Sequence, residues 1–309
     1  MRQQPSRKRF PTHIVVFLLP ALTIYTTFMV WPLLDSVRLS LIAGSGPRAG
    51  QFVGLQNYVT LLTDPAWAPR FWGALRNNLL FFAIHMLVQN PLGLLLAVLL
   101  NARVLRGRAI YRTLLFAPTM LSVVIVGFAW QLILSPLWGI AGGLLGMLGL
   151  GRLYQPWLGL EGAALPTLSL ISVWQFVGIP MMLFLTALLA IPEELEEAAR
   201  VDGAGAWSGF WRIKFPLILP TVGIVTVLTF VGNFNAFDLV YAVKGALAGP
   251  NFSTDLLGTL FYRTFFGFQL QPGNPPMGTT VAMMIFVIIL SGVLLYLFVW
   301  QRRVLTYEL

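Results

Sequence analysis

Long apolar runs separated by short charged stretches dominate this chain. Six segments are almost wholly apolar over the ~20 residues that cross a bilayer core: 14–34, 79–100, 114–134, 165–190, 217–237 and 281–300. Backbone N–H and C=O groups in lipid must pair within their own segment, so each run is read as a helix. Apolar residues occupy every side of these runs, unlike the short alternating segments of a membrane β-barrel. The expected fold is an all-α polytopic membrane protein with six transmembrane helices.

The connections carry weaker patterns. Residues 39–76 are amphipathic and turn-rich, and predict a lid lying on the membrane surface. The run "WGIAGGLLGMLGLG" (138–151) is apolar but too rich in glycine for a spanning helix, which leaves an interfacial or a re-entrant piece. Proline and glycine clusters mark both ends of the connection 244–278. Without an internal repeat, the chain is treated as one transmembrane domain, 14–300, between tails 1–13 and 301–309.

Composition supports the membrane assignment. The 309 residues are 57% hydrophobic and 10% charged, with a mean hydropathy of +0.79. About a quarter charged is usual for soluble proteins. With no cysteine, disulfide and thiolate chemistry are excluded. The net charge of +9 reports topology rather than a nucleic-acid partner. With the N-terminus inside, 13 of the 20 basic residues fall on the cytoplasmic side: Arg2, Arg7, Lys8, Arg9, Arg103, Arg106, Arg108, Arg112, Arg200, Arg212, Lys214, Arg302 and Arg303. Both ends are therefore expected inside. The opening "RQQPSRKRF" is signal-like, but the apolar run after it exceeds the roughly 7–15 residues of a signal core, so a retained first helix is expected.

Between the fourth and fifth runs, positions 193–202 hold five of the eleven acidic residues. Proline followed by Glu193, Glu194, Glu196 and Glu197 predicts a short helix whose first-turn carboxylates offset the positive end of its dipole. Glu196 and Arg200 are spaced to pair. Ala198 and Ala199 keep one side low, and Gly203 after Asp202 permits a positive φ that turns the chain. A second short helix is expected over 206–215, closed by Pro216. The outcome is a helical corner, which by charge alone reads as a solvated surface helix.

Spacing adds specificity. Glu197-Ala198-Ala199, three residues, Gly203, nine residues, then Ile213-Lys214-Phe215-Pro216 resembles the EAA motif of membrane subunits of binding-protein-dependent ABC importers. Leucine is usual in that family where this chain has Phe215. The segments "FVGLQNY", "LRNNLLF", "LFAPTMLSVVIVGFAWQLI" and "SVWQFVGIPMMLFLTALLAIP" resemble the carbohydrate branch, of the maltose-type and glycerol-phosphate-type permeases. The resemblance implies the type I importer fold with both termini cytoplasmic, in a bacterial or archaeal cell membrane. It further implies that Glu197, Ala198, Ala199, Asp202, Gly203, Ile213 and Pro216 seat in a cytoplasmic ABC ATPase dimer. Other implied partners are a second permease subunit, an extracytoplasmic solute-binding protein and a sugar-like substrate. No lysine completes a G-x-x-x-x-G-K-[ST] loop, so ATP and Mg are expected to be used by the partner ATPase, with no cofactor bound by this chain.

Polar residues within spans suggest where a solute would pass. Thr229, Gly232, Asn233 and Ala236 share a helical face at i, i+3, i+4 and i+7, with Asp238 at its outer end. Gln175, Phe176 and Ile179, with Trp174, offer a second wall. Ordinary packing of small and polar residues explains the same periodicity, and the resemblance favours the pathway. His85 is read as an interhelical hydrogen-bonding group rather than a metal ligand. The chain is not expected to be an enzyme, because the spans lack convergent acid, base or metal-binding groups. The motif alone also fits an importer of amino acids, peptides or polyamines.

Overall fold

A computed structural model describes residues 12–44, 49–102, 106–269 and 271–301. Both expected tails fall wholly or largely outside the described residues, together with Arg2, Arg7, Lys8, Arg9, Arg103, Arg302 and Arg303. The regular secondary structure of the described residues is helical apart from one two-residue antiparallel ladder, β1 (Gly267–Phe268) with β2 (Gln271–Pro272), and one isolated bridge between Ile42 and Phe52.

Helix α1 covers Val16–Ser40, α2 Gln56–Thr63 and α3 Ala68–Asn101. Next come α4 (Arg108–Met120), α5 (Val123–Ile133), α6 (Ala141–Met147), α7 (Glu161–Phe176) and α8 (Gly178–Leu189). The corner contributes α9 (Glu193–Val201) and α10, a mixed helical run over 206–217. The last elements are α11 (Leu219–Phe234), α12 (Asp238–Lys244), α13 (Leu257–Phe266) and α14 (Pro275–Leu295). Four described helices are long and apolar enough to cross a membrane, or six when each bent pair counts as one span.

Several expectations need correction. The second apolar run is the C-terminal part of a 34-residue helix that starts at Ala68, not near 79. The third run is not straight: α4 and α5 meet at 95°. Pro118 stands in the last, tightened turn of α4 and Ser122 is extended, so the helical ladder stops there. The fourth run bends by 44° between α7 and α8. Pro180 accounts for this bend, since its ring crowds the carbonyl four residues back, at Phe176. Gly178 fits against the neighbouring helix at the same place: a Cβ there would lie 2.9 Å from the Leu115 carbonyl. Within the segment expected as a surface lid, Leu61 and Phe71 are buried with Phe234, Leu257 and Met277 in one apolar cluster, which packs it onto the bundle. Asn57 fastens this segment by donating to the carbonyls of Ser40 and Ile42, each at 2.8 Å.

Proline also explains three π-turns. Thr26–Val30, His85–Gln89 and Phe210–Lys214 each stand two residues ahead of a proline, at Pro32, Pro91 and Pro216. A proline removes one ladder N–H and pushes on the carbonyl four residues back, and a wider turn accommodates both. Pro216 therefore does not close the second short helix, as the sequence suggested; the helical path runs through it to Leu217.

Two further clusters hold the spans together. The end of α3 (Ala97, Leu100) packs on α8 (Met181, Phe184, Leu185, Leu188) and the start of α11. Val126 of α5, Leu168 and Ile171 of α7 and Leu239, Val240 and Val243 of α12 form the other.

Candidate functional site

The corner forms because its local sequence specifies both helix ends. Pro192 is extended and precedes α9, whose first turn carries Glu193, Glu194 and Glu196. At the other end Gly203 adopts φ +81°. Its N–H bonds the Arg200 carbonyl at 3.0 Å, and the Ala204 N–H reaches back to Ala199 at 2.9 Å. That pair of bonds is a Schellman cap, which needs a left-handed residue where Gly203 stands. The chain then enters α10, and Lys214 Nζ meets Glu196 Oε1 at 2.6 Å. Arg200 is the weaker partner of Glu196, at 3.7 Å. The expected i, i+4 pair thus exists, but the lysine from the second helix holds Glu196.

The named corner residues divide by direction. Glu197, Ala198, Asp202, Gly203 and Pro216 are exposed, whereas Ala199 and Ile213 are half-buried and line a cavity of about 660 Å³ beneath the bend. Sequence reading missed Val201 and Trp207, which are 88% and 77% exposed on the same corner. Two bare apolar side chains beside a carboxylate-rich helix have the character of a protein-binding patch.

A second cavity of about 450 Å³ lies among α3, α7, α8, α11 and α12. Phe176, Ile179, Thr229, Gly232, Asn233, Ala236 and Asp238 all line it. Gln175 does not. It is fully buried, and its Nε2 donates to the Leu121 carbonyl at 3.0 Å, across the break between α4 and α5. Trp174 stacks edge-on with Trp130. The wall instead includes His85 and Gln89 of α3 and Ser172 of α7, which sequence reading left out. A polar cluster in an apolar run, "HMLVQN", was the available signal. His85 does make the expected interhelical bond, 3.0 Å to Ser172.

Polar side chains position this wall from the Asn233 end of α11. Asn78, fully buried, donates to the Asn233 carbonyl at 2.9 Å and accepts from the Leu257 N–H at 2.7 Å, joining α3, α11 and α13. Asn77 donates to the carbonyls of Ser253 and Asp255. Asp255 and Arg263 form a buried ion pair at 2.6 Å, extended by Thr259 and by the Ala246 carbonyl. Burial pushes the Asp255 carboxyl above its ordinary value, while Arg263 pulls it back. Nothing in the spacing of these residues announced the pair.

Residues 89–305 match the family described as "Binding-protein-dependent transport system inner membrane component". The chain belongs to this family. It is 34% identical to the "Probable ABC transporter permease protein YurN" of Bacillus subtilis, over 81% of this chain and 84% of that protein. The "Lactose transport system permease protein LacF" of Rhizobium radiobacter is 31% identical over 82% of this chain and 83% of its own. Among solved structures, the crystal structure of "a bacterial ABC transporter involved in the import of the acidic polysaccharide alginate" matches with a TM-score of 0.76. That match has 26% identity and covers 94% of this chain and 96% of that one. The protein is thus a multi-pass membrane component of an ABC transport system that works with a binding protein and a separate ATPase subunit. It is a transport subunit and not an enzyme.

Proposed function

We propose that this chain is one of two membrane subunits of an ABC importer for a sugar or oligosaccharide, with its solute path along the cavity between α3, α8 and α11. The observation that carries this reading is the wall itself. Asn233 and Thr229 supply polar atoms, Gly232 and Ala236 supply room, and Phe176 supplies an aromatic face. A sugar needs all three, because its hydroxyls lose water and its ring presents apolar C–H faces. The lactose permease relative is consistent with that class of solute.

The remaining parts of the reading follow from the corner. Six spans with both termini in the cytoplasm put the bend at Gly203 inside the cell. There Glu197, Ala198, Asp202 and Gly203, with Val201 and Trp207, seat in a groove of a cytoplasmic ATPase dimer. Ala199 and Ile213 keep the two helices in register behind that surface, and the exposed Pro216 lies at the end of the second helix, where it joins the docking region. ATP and Mg are bound by that partner, the second permease is a different chain, and an extracytoplasmic binding protein delivers the solute to a bacterial or archaeal cell membrane. Domain limits of 14–300 with short tails fit this arrangement. Closure of the ATPase then biases the accessible side of the pathway through α9 and α10.

Purification of the tagged chain with its neighbouring gene products, followed by proteoliposome uptake of a labelled sugar panel, tests the reading. An ATPase that co-purifies and ATP-dependent sugar uptake are expected. A complex that never retains a nucleotide-hydrolysing subunit refutes it.

A further inference from the structure

Three arginines stand where the third apolar run begins, and none of them faces an anion. Arg106 and Arg108 lie at the start of α4, and Arg112 follows one turn later. Among the described residues, no carboxylate comes within ion-pair distance of any of the three. The first turn of α4 holds no acidic residue either, so the positive end of the helix dipole adds to the same excess.

Their position makes that excess costly. Arg112 is half-buried, and its Nε is enclosed without an acceptor. Arg108 and Arg112 are four residues apart and share the face of α4 that carries Leu115, whose carbonyl abuts Gly178 of α8. Arg108 also lines the cavity under the bend, where Lys214 and Arg200 already engage Glu196. Glu193, the other carboxylate on that wall, does not pair with it. A guanidinium enclosed in this way has lost water without replacement, whereas a phosphate would receive its planar fork through two parallel bonds.

Beside the arginines the helix is apolar and open. Ile110 and Leu114 are 65% and 63% exposed, and α4 with α5 forms a bent pair long and apolar enough to cross a bilayer. A ligand that satisfies both features carries an anionic head and a hydrocarbon tail. A soluble phosphate answers only the first.

We propose that Arg108 and Arg112, with Arg106 beside them, hold the phosphate of an anionic membrane phospholipid whose acyl chain lies along Ile110 and Leu114. A zwitterionic lipid brings its own cation to a place already rich in them, so phosphatidylglycerol is preferred to phosphatidylcholine. The site does not depend on which solute is carried, and it adjoins the corner through Arg108.

The complete transporter, purified with its partner subunits, is titrated with each of these two lipids, and bound lipid is read by native mass spectrometry. Phosphatidylglycerol should bind about tenfold more tightly, and Arg108→Gln and Arg112→Gln should each weaken it about fivefold. Arg112→Lys should lose less, because it keeps the charge. Arg152→Gln removes an exposed arginine outside this cluster and should change nothing. Equal affinity for the two lipids overturns the proposal, and so does an equal loss in Arg152→Gln, which would mean diffuse attraction. Displacement of phosphatidylglycerol by inorganic phosphate overturns the lipid assignment in favour of a soluble anion. If Arg112→Gln fails to assemble, the exposed pair Arg106→Gln and Arg108→Gln decides, and unaltered lipid binding there overturns the proposal.

Discussion

Lys214 Nζ sits 2.6 Å from Glu196 Oε1, so an ion pair joins the two short helices on either side of the Gly203 turn. Both side chains are under a quarter exposed, which spares the pair part of the screening that weakens surface pairs. A double-mutant cycle with Glu196→Gln and Lys214→Met should give a coupling energy of about 1 kcal/mol in complex stability. Each single variant should lower ATP-driven uptake more than ATP hydrolysis. A coupling energy of zero with uptake unchanged removes the pair from the coupling between ATPase and pathway.

Gly203 itself is the second test. Its φ of +81° lies in the left-handed region, and a β-branched side chain there costs about 1–2 kcal/mol. Gly203→Val should release α9 from its cap and uncouple hydrolysis from uptake. Gly203→Asn should retain most coupling, because asparagine tolerates that conformation. Full coupled uptake by the valine variant contradicts the account.

Gln175 is assigned to the helix break and not to the solute path. Gln175→Leu strands the Leu121 carbonyl at an expected cost of about 1–3 kcal/mol. The unfolding midpoint in detergent should therefore fall while the KM for the carried solute stays the same. A raised KM with unaltered stability would return Gln175 to the pathway.

Asp255 and Arg263 are buried together, so removing one partner leaves an uncompensated charge. Asp255→Asn should destabilise the complex by about 3–5 kcal/mol, and pairing Asp255→Leu with Arg263→Met should recover most of that. Chemical unfolding of the purified complex reads both. Equal loss in the double variant argues that the two act separately.

Asn233→Ala keeps the backbone ladder of α11, since the lost side-chain bond runs only to Thr229 four residues back. Assembly should be normal and uptake reduced. Unchanged uptake of every sugar tested removes Asn233 from the solute path.

Much of the fold was legible because its signals are local. Apolar length alone marked the spans, and the pairing of Gly203 with an acidic first turn marked the corner. The face Thr229, Gly232, Asn233 and Ala236 could be read because one helix period places them together, and all four do line the cavity. Gln175 was misdirected for a related reason. In a run that is apolar on every side, no period tells which neighbour a lone amide will meet, and here it meets a carbonyl exposed by a break 54 positions earlier.

The sequence by itself therefore determined the helices, the bent corner between the fourth and fifth runs and the family. The first two depend on transfer from water and on backbone preferences of residues a few positions apart, and the third on the motif spacing that resembles the family. Only the tertiary structure decided that α3 supplies His85 and Gln89 to the cavity beside α11, that Lys214 holds Glu196, and that Asp255 pairs with Arg263. Those choices depend on which distant helices come within hydrogen-bonding reach, and that is fixed by packing around prolines and small residues rather than by neighbouring positions in the chain.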